Sequence, residues 1–152
     1  MLNKIVQKIF KKFTNFKANP YHPLVWINGS PKIGKNVVIS GFSEINANHA
    51  NVTIGDNCDI ASFVAINAAD SHNYCLGLSD EIERKDITIG RNVFIGSHCV
   101  VKGGANIGNY CVIGSGTIVD GVDIPDYSLV VGNPMVVKRG YYKKWLHITS
   151  LL

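Results

Sequence analysis

The 152-residue chain lacks several features that would assign it to a class of protein at once. Lysines interrupt the apolar residues of its N-terminal segment, which excludes the core of a secretory signal or a membrane span there. The four cysteines form no CxxC pair and the histidines include no closely spaced pair, so the usual zinc spacings are missing. There is neither a basic stripe nor an interleaving of aromatic residues, which argues against nucleic acid as a partner.

Acidic residues are absent from both ends of the chain. Residues 1–20 hold five lysines, residues 138–152 hold four basic residues, and neither range contains Asp or Glu. Since the net charge is only +4, the middle of the chain is acidic. Basic ends suit a phosphate group or an acidic surface as a binding partner.

The segment 1–20 is predicted to form a basic amphipathic helix. Its apolar residues follow the i, i+3, i+4 spacing of one helix face, lysines take the other face, and Pro20 and Pro23 end the helix. Two interpretations stay open. The helix covers the open end of the fold, or residues 1–13 make a weak contact with an anionic membrane surface.

A six-residue period dominates the rest of the chain. An aliphatic residue recurs without a miss at Ile89, Ile95, Val101, Ile107, Ile113 and Val119. This period fits neither a helix face nor strand alternation, and it is typical of a solenoid of short stacked strands. The aliphatic residues should point inward beside small residues, among which Cys58, Cys99 and Cys111 should act as core hydrophobes. Gly follows the aliphatic residue at four of the six steps, where we expect it to turn the backbone at positive φ.

The same period starts at Ile27 and runs to Ile66, with a slip of three residues after Ile45. The 23 residues from Ile66 to Ile89 are not a multiple of six, so something is inserted at about residues 71–86. We therefore expect one solenoid domain over residues 24–136, with a protruding loop at 71–86 and a tail at 137–152. Long loops inside a compact domain are usually functional or disordered, which makes this loop the first place to look for a site.

The insertion opens with a carboxylate and an imidazole two residues apart, Asp70 and His72. On an extended chain alternate residues face the same side. A carboxylate beside an imidazole fixes its tautomer and stabilises its cation, which is what a general base needs. The alternative is that His72 is an ordinary exposed loop histidine.

Several motifs resemble those of the hexapeptide-repeat acyltransferases. They are Ile54-Gly-Asp-Asn-Cys-Asp-Ile60, Asp70-Ser-His72-Asn, the hexads from Ile87 to Gly116, and the closing Asp123-Ile-Pro … Gly-Asn-Pro134. The chain is most similar to the galactoside and maltose O-acetyltransferases, the xenobiotic acetyltransferases and the small acetyltransferases of surface-polysaccharide pathways. The resemblance implies an all-β fold, a left-handed parallel β-helix with three hexads per coil, and we expect the C-terminal tail to be helical.

The resemblance also implies acetyl transfer from acetyl-CoA. His72 would take a proton from the acceptor, with Asp70 or Asn73 as the group that orients it. Asn46 and Asn48 lie near where sugar acetyltransferases place acceptor-binding groups. The arm and phosphates of acetyl-CoA would lie at Gly96, Ser97, Gly114, Ser115, Lys138 and Arg139. The alternatives are that the glycines only serve the corners and that the basic pair belongs to a solvated tail.

Family members are trimers with active sites between subunits, so the resemblance implies a cytoplasmic homotrimer that needs no metal. The acceptor would be a sugar, free or linked to a nucleotide or lipid, in a surface-polysaccharide pathway. Three other functions stay open: a xenobiotic or antibiotic acetyltransferase, a non-catalytic trimeric scaffold, and a zinc enzyme like the hexapeptide-repeat carbonic anhydrases.

Overall fold

The computed structural model describes residues 2–13 and 19–144, of which residues 26–138 form a parallel β-solenoid of about five coils. Three sheets form its three faces. Face A contains β1 (Trp26–Gly29), β4 (Glu44–Ala47), β7 (Ala65–Asn67), β12 (Val100–Lys102) and β15 (Ile118–Val119). Face B contains β2 (Lys32–Ile33), β5 (Val52–Ile54), β10 (Ile87–Ile89), β13 (Asn106–Ile107) and β16 (Asp123–Ile124). Face C contains β3 (Val38–Ile39), β6 (Asp59–Ile60), β11 (Phe94–Ile95), β14 (Val112–Ile113), β17 (Leu129–Val131) and an added antiparallel strand, β18 (Val136–Lys138).

Successive faces are joined at three corners, and each corner is a column of turns. We name the corners by the faces that they join. The AB corner contains residues 48–51, 68–86, 103–105 and 120–122; the BC corner contains 34–37, 55–58, 90–93, 108–111 and 125–128; the CA corner contains 40–43, 61–64, 96–99 and 114–117.

The six-residue period is the inward-facing register of the solenoid, as predicted. Each aliphatic residue pairs with its counterpart one coil later, as Ile89 does with Ile107 and Ile95 with Ile113. All six aliphatic residues of the main run are at most 1% exposed, and so are the small residues at the fourth place after them. Burial of one such isoleucine contributes about 1.5–3 kcal/mol, so the inward side chains of the three faces are the main source of stability.

Both irregularities of the period lie at the AB corner. Ile33 pairs with Ile54 and Ile54 pairs with Ile89, so the strands stay in register across the slip and across the insertion. The extra residues loop out at 48–51 and 68–86. The insertion is more ordered than a plain loop: it contains a short helix, α2 (His72–Cys75), and a hairpin of β8 (Ala69–Asp70) with β9 (Glu83–Arg84).

The expected role of the repeat glycines is wrong. Gly90 and Gly96 are not among the residues with positive φ; two residues further along each turn, Asn92 and His98 take that conformation, with φ of 56° and 60°. The physical reason for the glycines is the closeness of the next coil. A Cβ on Gly90 would lie 2.8 Å from the carbonyl of Gly108, and one on Gly96 would lie 2.6 Å from the nitrogen of Ser115.

The two ends of the chain differ in part from expectation. The N-terminal helix, α1, is described over Leu2–Phe13, residues 14–18 of the predicted segment 1–20 lie outside the described part, and residues 19–20 are not helical. The tail expected to be helical from residue 137 begins with strand β18 instead, and only residues 143–144 are helical before the described part ends. Among the described residues, no helix has the length and apolar content needed to cross a bilayer.

A charge placed among the inward aliphatic residues should abolish folding. Ile113→Asp puts a carboxylate where the side chain is 0% exposed, which costs several kcal/mol out of the roughly 5–15 kcal/mol that stabilise a domain. Leu78→Asp is the matched control, because Leu78 is 73% exposed in the insertion. Circular dichroism melts should show a cooperative transition for the control alone. A soluble Ile113→Asp protein with a wild-type melt would contradict the assigned register.

The reactivity of the four thiols is an independent test of the same core. Burial raises the pKa of the Cys58, Cys99 and Cys111 thiols, so they stay neutral and inaccessible, whereas Cys75 is exposed at the end of α2. We expect one fast-reacting thiol with Ellman's reagent in the native protein and four in denaturant. Cys75→Ser should remove the fast phase. Several fast thiols in the native protein would mean that the small inward positions are open to solvent.

Candidate active site

Asp70 and His72 are in direct contact at the base of the insertion. The Asp70 Oδ1 lies 2.6 Å from the Nδ1 of His72 and also accepts a hydrogen bond of 3.1 Å from the His72 backbone N–H. The expected pairing is therefore present, but its cause differs from the one inferred from sequence. His72 is the first residue of α2 rather than part of an extended strand, and the turn at Ser71 brings it back to the carboxylate.

The contact determines which ring nitrogen of His72 carries a proton. The hydrogen bond from the His72 side chain, followed by that from its backbone N–H, lowers the pKa of Asp70 below its usual range. An ionised carboxylate only accepts hydrogen bonds, so the Nδ1 of His72 must carry the proton. In the neutral form of the imidazole the lone pair is then on Nε2. The side chains of His72 and Asp70 are 59% and 46% exposed. The pair is thus built to accept a proton at Nε2 from a molecule that reaches it from solvent.

Beside Asp70, face A and the AB corner form a cleft of about 550 Å³. Its polar lining includes Asp70, Asn67, Lys85 and Lys102, and the two lysines are held by Glu83 at 2.8 Å and by Asp120 at 3.0 Å. Sequence reasoning missed Asn67, Lys85 and Lys102. Asn67 could have been found, because it follows the inward Ile66 and must therefore point outward beside the insertion.

The asparagines predicted to bind the acceptor lie around this cleft. Asn46 donates a 3.1 Å hydrogen bond from its side chain to Asn67, whose oxygen also accepts from the Ala69 N–H. The backbone carbonyl of Asn48 accepts from Arg84 of the hairpin at 2.8 Å, while its side chain is exposed. Asn73 lies in α2, and its carbonyl accepts from the Leu78 N–H. Asn46 therefore contacts the cleft only through Asn67, whereas Asn48 and Asn73 support the insertion through their backbones.

The residues predicted to lie along acetyl-CoA are at a different corner. Gly96, Ser97, Gly114 and Ser115 form two stacked turns of the CA corner, which lies at the opposite end of the face A strands from the insertion. The N–H groups of Gly96 and Gly114 donate to the next coil at 2.8 Å, so they cannot bind a ligand. The next turn residue, Gly116, has open space where a Cβ would stand.

An aromatic column runs along the same corner and was not foreseen. Phe42, Phe63 and His98 stack with ring centroids 5.0 and 4.8 Å apart. Phe42 and Phe63 are 61% and 49% exposed, and each of the three residues has φ near 60°. In the next coil the same position is Gly116, which has no ring. Two exposed phenylalanines side by side form an apolar edge beside the turns predicted to bind acetyl-CoA.

Lys138 and Arg139 lie towards the third corner. The chain reverses after β17, so that Lys138 pairs with Leu129 at the start of face C, and its Nζ lies 6.0 Å from the ring of Tyr141. Arg139 lines a cleft of about 510 Å³ at face B and the BC corner, together with Asp123 and Asp126. The predicted site residues of one chain therefore occupy three separate corners. Within the described residues, no group of three or more His, Cys, Asp or Glu side chains is placed to hold a metal ion.

Comparison with known proteins agrees with this fold. Residues 86–121 match the family model of the bacterial transferase hexapeptide, six repeats. The chain belongs to the hexapeptide-repeat transferase family. The galactoside O-acetyltransferase of Escherichia coli strain K12 is 39% identical over 108 residues, which are 70% of this chain and 52% of that protein. The chain thus spans about half the length of this curated relative.

Two solved structures extend the likeness. A galactoside acetyltransferase in complex with coenzyme A superposes with a TM-score of 0.66 and 29% identity, over 90% of this chain and 78% of that one. An acetyltransferase specific for polySia superposes with a TM-score of 0.60 and 29% identity, over 76% of this chain and 61% of that one. The family relation therefore rests on both sequence and fold.

Proposed function

We propose that the chain is an acetyl-CoA-dependent acetyltransferase that acts on a hydroxyl or amino group of a sugar. The observation that carries the proposal is the 2.6 Å contact between Asp70 and the Nδ1 of His72, in the insertion of a hexapeptide-repeat fold. A relative that is a galactoside O-acetyltransferase and a similar structure in complex with coenzyme A support the same chemistry.

His72 acts as the general base. Its Nε2 takes the proton of the acceptor hydroxyl as the oxygen forms a bond to the acetyl carbon, and it returns that proton to the departing thiolate. Asp70 keeps Nδ1 protonated and stabilises the imidazolium between these two transfers. A positioned base of this kind typically contributes about 10²–10⁴ in rate, because an alcohol is barely ionised at neutral pH.

The CA corner fits the arm of acetyl-CoA, which would supply the acetyl group as a thioester. Small residues and the open space at Gly116 leave room for a chain to lie along Ser97 and Ser115. Among the described residues, the N–H of Ser115 donates to no other group of the chain, so it is free to stabilise a developing oxyanion.

The cleft beneath Asp70 is the proposed acceptor site. Amide, ammonium and carboxylate groups of Asn67, Lys85, Lys102 and Asp70 offer both donors and acceptors, which suits the many hydroxyls of a sugar. The likeness to an acetyltransferase specific for polySia favours an acceptor from a surface-polysaccharide pathway.

The active protein is proposed to be a homotrimer, because a single chain keeps its two half-sites apart. If face A of each copy faces a threefold axis, the AB corner of one copy meets the CA corner of the next, and the ring closes. His72 of one copy then lies beside Ser97 and Ser115 of its neighbour. The same arrangement covers the exposed ring edges of Phe42 and Phe63.

Removing the base should abolish turnover without changing the fold. His72→Ala should lower the rate of thiol release from acetyl-CoA with a sugar hydroxyl acceptor by at least about a hundredfold. Asp70→Asn should cost less, since the amide can still orient the ring. His49→Ala is the matched control, because His49 is also exposed at the AB corner. Near-normal turnover by His72→Ala would refute the assignment, provided that a panel of sugars has given a wild-type signal.

The arrangement of the trimer can be tested by mass. Light scattering of the 16.6 kDa chain should give about 50 kDa. Phe63→Asp places a charge in the proposed interface and should yield monomers, whereas Phe94→Asp, on the outer side of face C, should leave the trimer intact. The two phenylalanines are 49% and 41% exposed, so the substitutions are closely matched. Dissociation by Phe94→Asp alone would place the interface on face C.

A further inference from the structure

A polar side chain, Gln7, helps to hold helix α1 in place. Among the side chains of α1 that the structure describes, only Gln7 is buried. Its Nε2 donates a 2.8 Å hydrogen bond to the carbonyl of Asn19, whose own side chain donates to the carbonyl of Val25 at 3.0 Å. Val25 is 0% exposed in the first coil. These bonds fix the rotation of α1 about its axis.

This rotation leaves an apolar stripe on the outer side of α1. Ile5, Ile9 and Phe13 follow one another at four-residue spacing and are 49%, 53% and 76% exposed. A row of exposed lysines, each one residue before a member of the stripe, runs beside it: Lys4, Lys8 and Lys12. Contact between α1 and the rest of the chain therefore leaves these three apolar side chains uncovered.

The charge of the whole N-terminal end matches this row. The first 43 residues contain seven lysines and no acidic residue, while all eleven carboxylates of the side chains lie between Glu44 and Asp126. Lys32 and Lys35 are exposed on the first coil, next to the end that α1 covers. The N-terminal stretch of chain that carries the apolar stripe therefore bears only positive side-chain charge.

We propose that α1 attaches the protein to an anionic lipid surface. The stripe enters the boundary between headgroups and acyl chains, and the lysine row meets the lipid phosphates. A second copy of the helix fits the same stripe less well, because its lysines would face lysines and the helix contains no carboxylate to neutralise them. At 12 residues, about 18 Å, the helix lies on the surface and does not cross it.

Vesicle co-sedimentation of the full-length chain tests the proposal. The chain should bind vesicles of equal parts phosphatidylcholine and phosphatidylglycerol, and its affinity should fall as the salt concentration rises. It should not bind vesicles of pure phosphatidylcholine. Lys4→Ser/Lys8→Ser and Ile5→Ser/Ile9→Ser should each weaken binding at least about tenfold.

Two control variants carry the same chemical changes elsewhere. Lys143→Ser/Lys144→Ser removes two exposed charges near the other end, and Leu76→Ser/Leu78→Ser removes two apolar side chains that are 68% and 73% exposed in the insertion. Both should bind as wild type does. Equal loss in the controls, or no binding by the wild type, would overturn the proposal. If the wild type does not bind vesicles and Ile5→Ser/Ile9→Ser has a lower oligomeric mass in solution than the wild type, another copy of the chain covers the stripe and the proposal is wrong.

Discussion

Hydrogen bonds between successive coils impose the constraint on which the rest of the structure depends. Each residue must lie beside its counterpart in the next coil, about 4.8 Å away, for these bonds to form. The Gly90 N–H donates to Ile107 and the Gly108 N–H donates to Ile124, both at 2.8 Å. Because that alignment is kept from coil to coil, residues can be added only where the chain can leave the stack. The slip and the insertion both leave at the AB corner, and the insertion carries Asp70 and His72.

The same alignment arranges surface residues in columns. Phe42, Phe63 and His98 fall in one column of the CA corner, although 21 and 35 residues separate them along the chain, and Gly116 ends that column. The CA corner thus presents a continuous aromatic edge over three coils. Such an edge suits an elongated ligand or a neighbouring subunit better than a closed pocket does, and the proposed shared site uses two of these edges.

Much of the fold could be predicted from the sequence, because one residue in six must be aliphatic and inward. The contact of Asp70 with His72 was also predictable, although a helical turn rather than an extended strand produces it. The reason for Gly90 and Gly96 was not predictable, since the clash that they avoid is with a coil that pairs only in the folded state. The rotation of α1 was hidden for a similar reason: its apolar periodicity favours a buried stripe, and among the described side chains it is the hydrogen bond of Gln7 to Asn19 that shows which side of the helix faces inward.

The central claim is that one active site needs His72 from one copy and the CA corner of the next. Mixed trimers test it most directly. His72→Ala lacks the base, and Ser115→Trp blocks the proposed path of acetyl-CoA with a bulky side chain, so each variant alone should be inactive. After the two are unfolded together and refolded in equal amounts, about a quarter of the interfaces join an intact base to an intact corner, and about that share of wild-type turnover should return. A mixture as inactive as its two components would contradict the shared site.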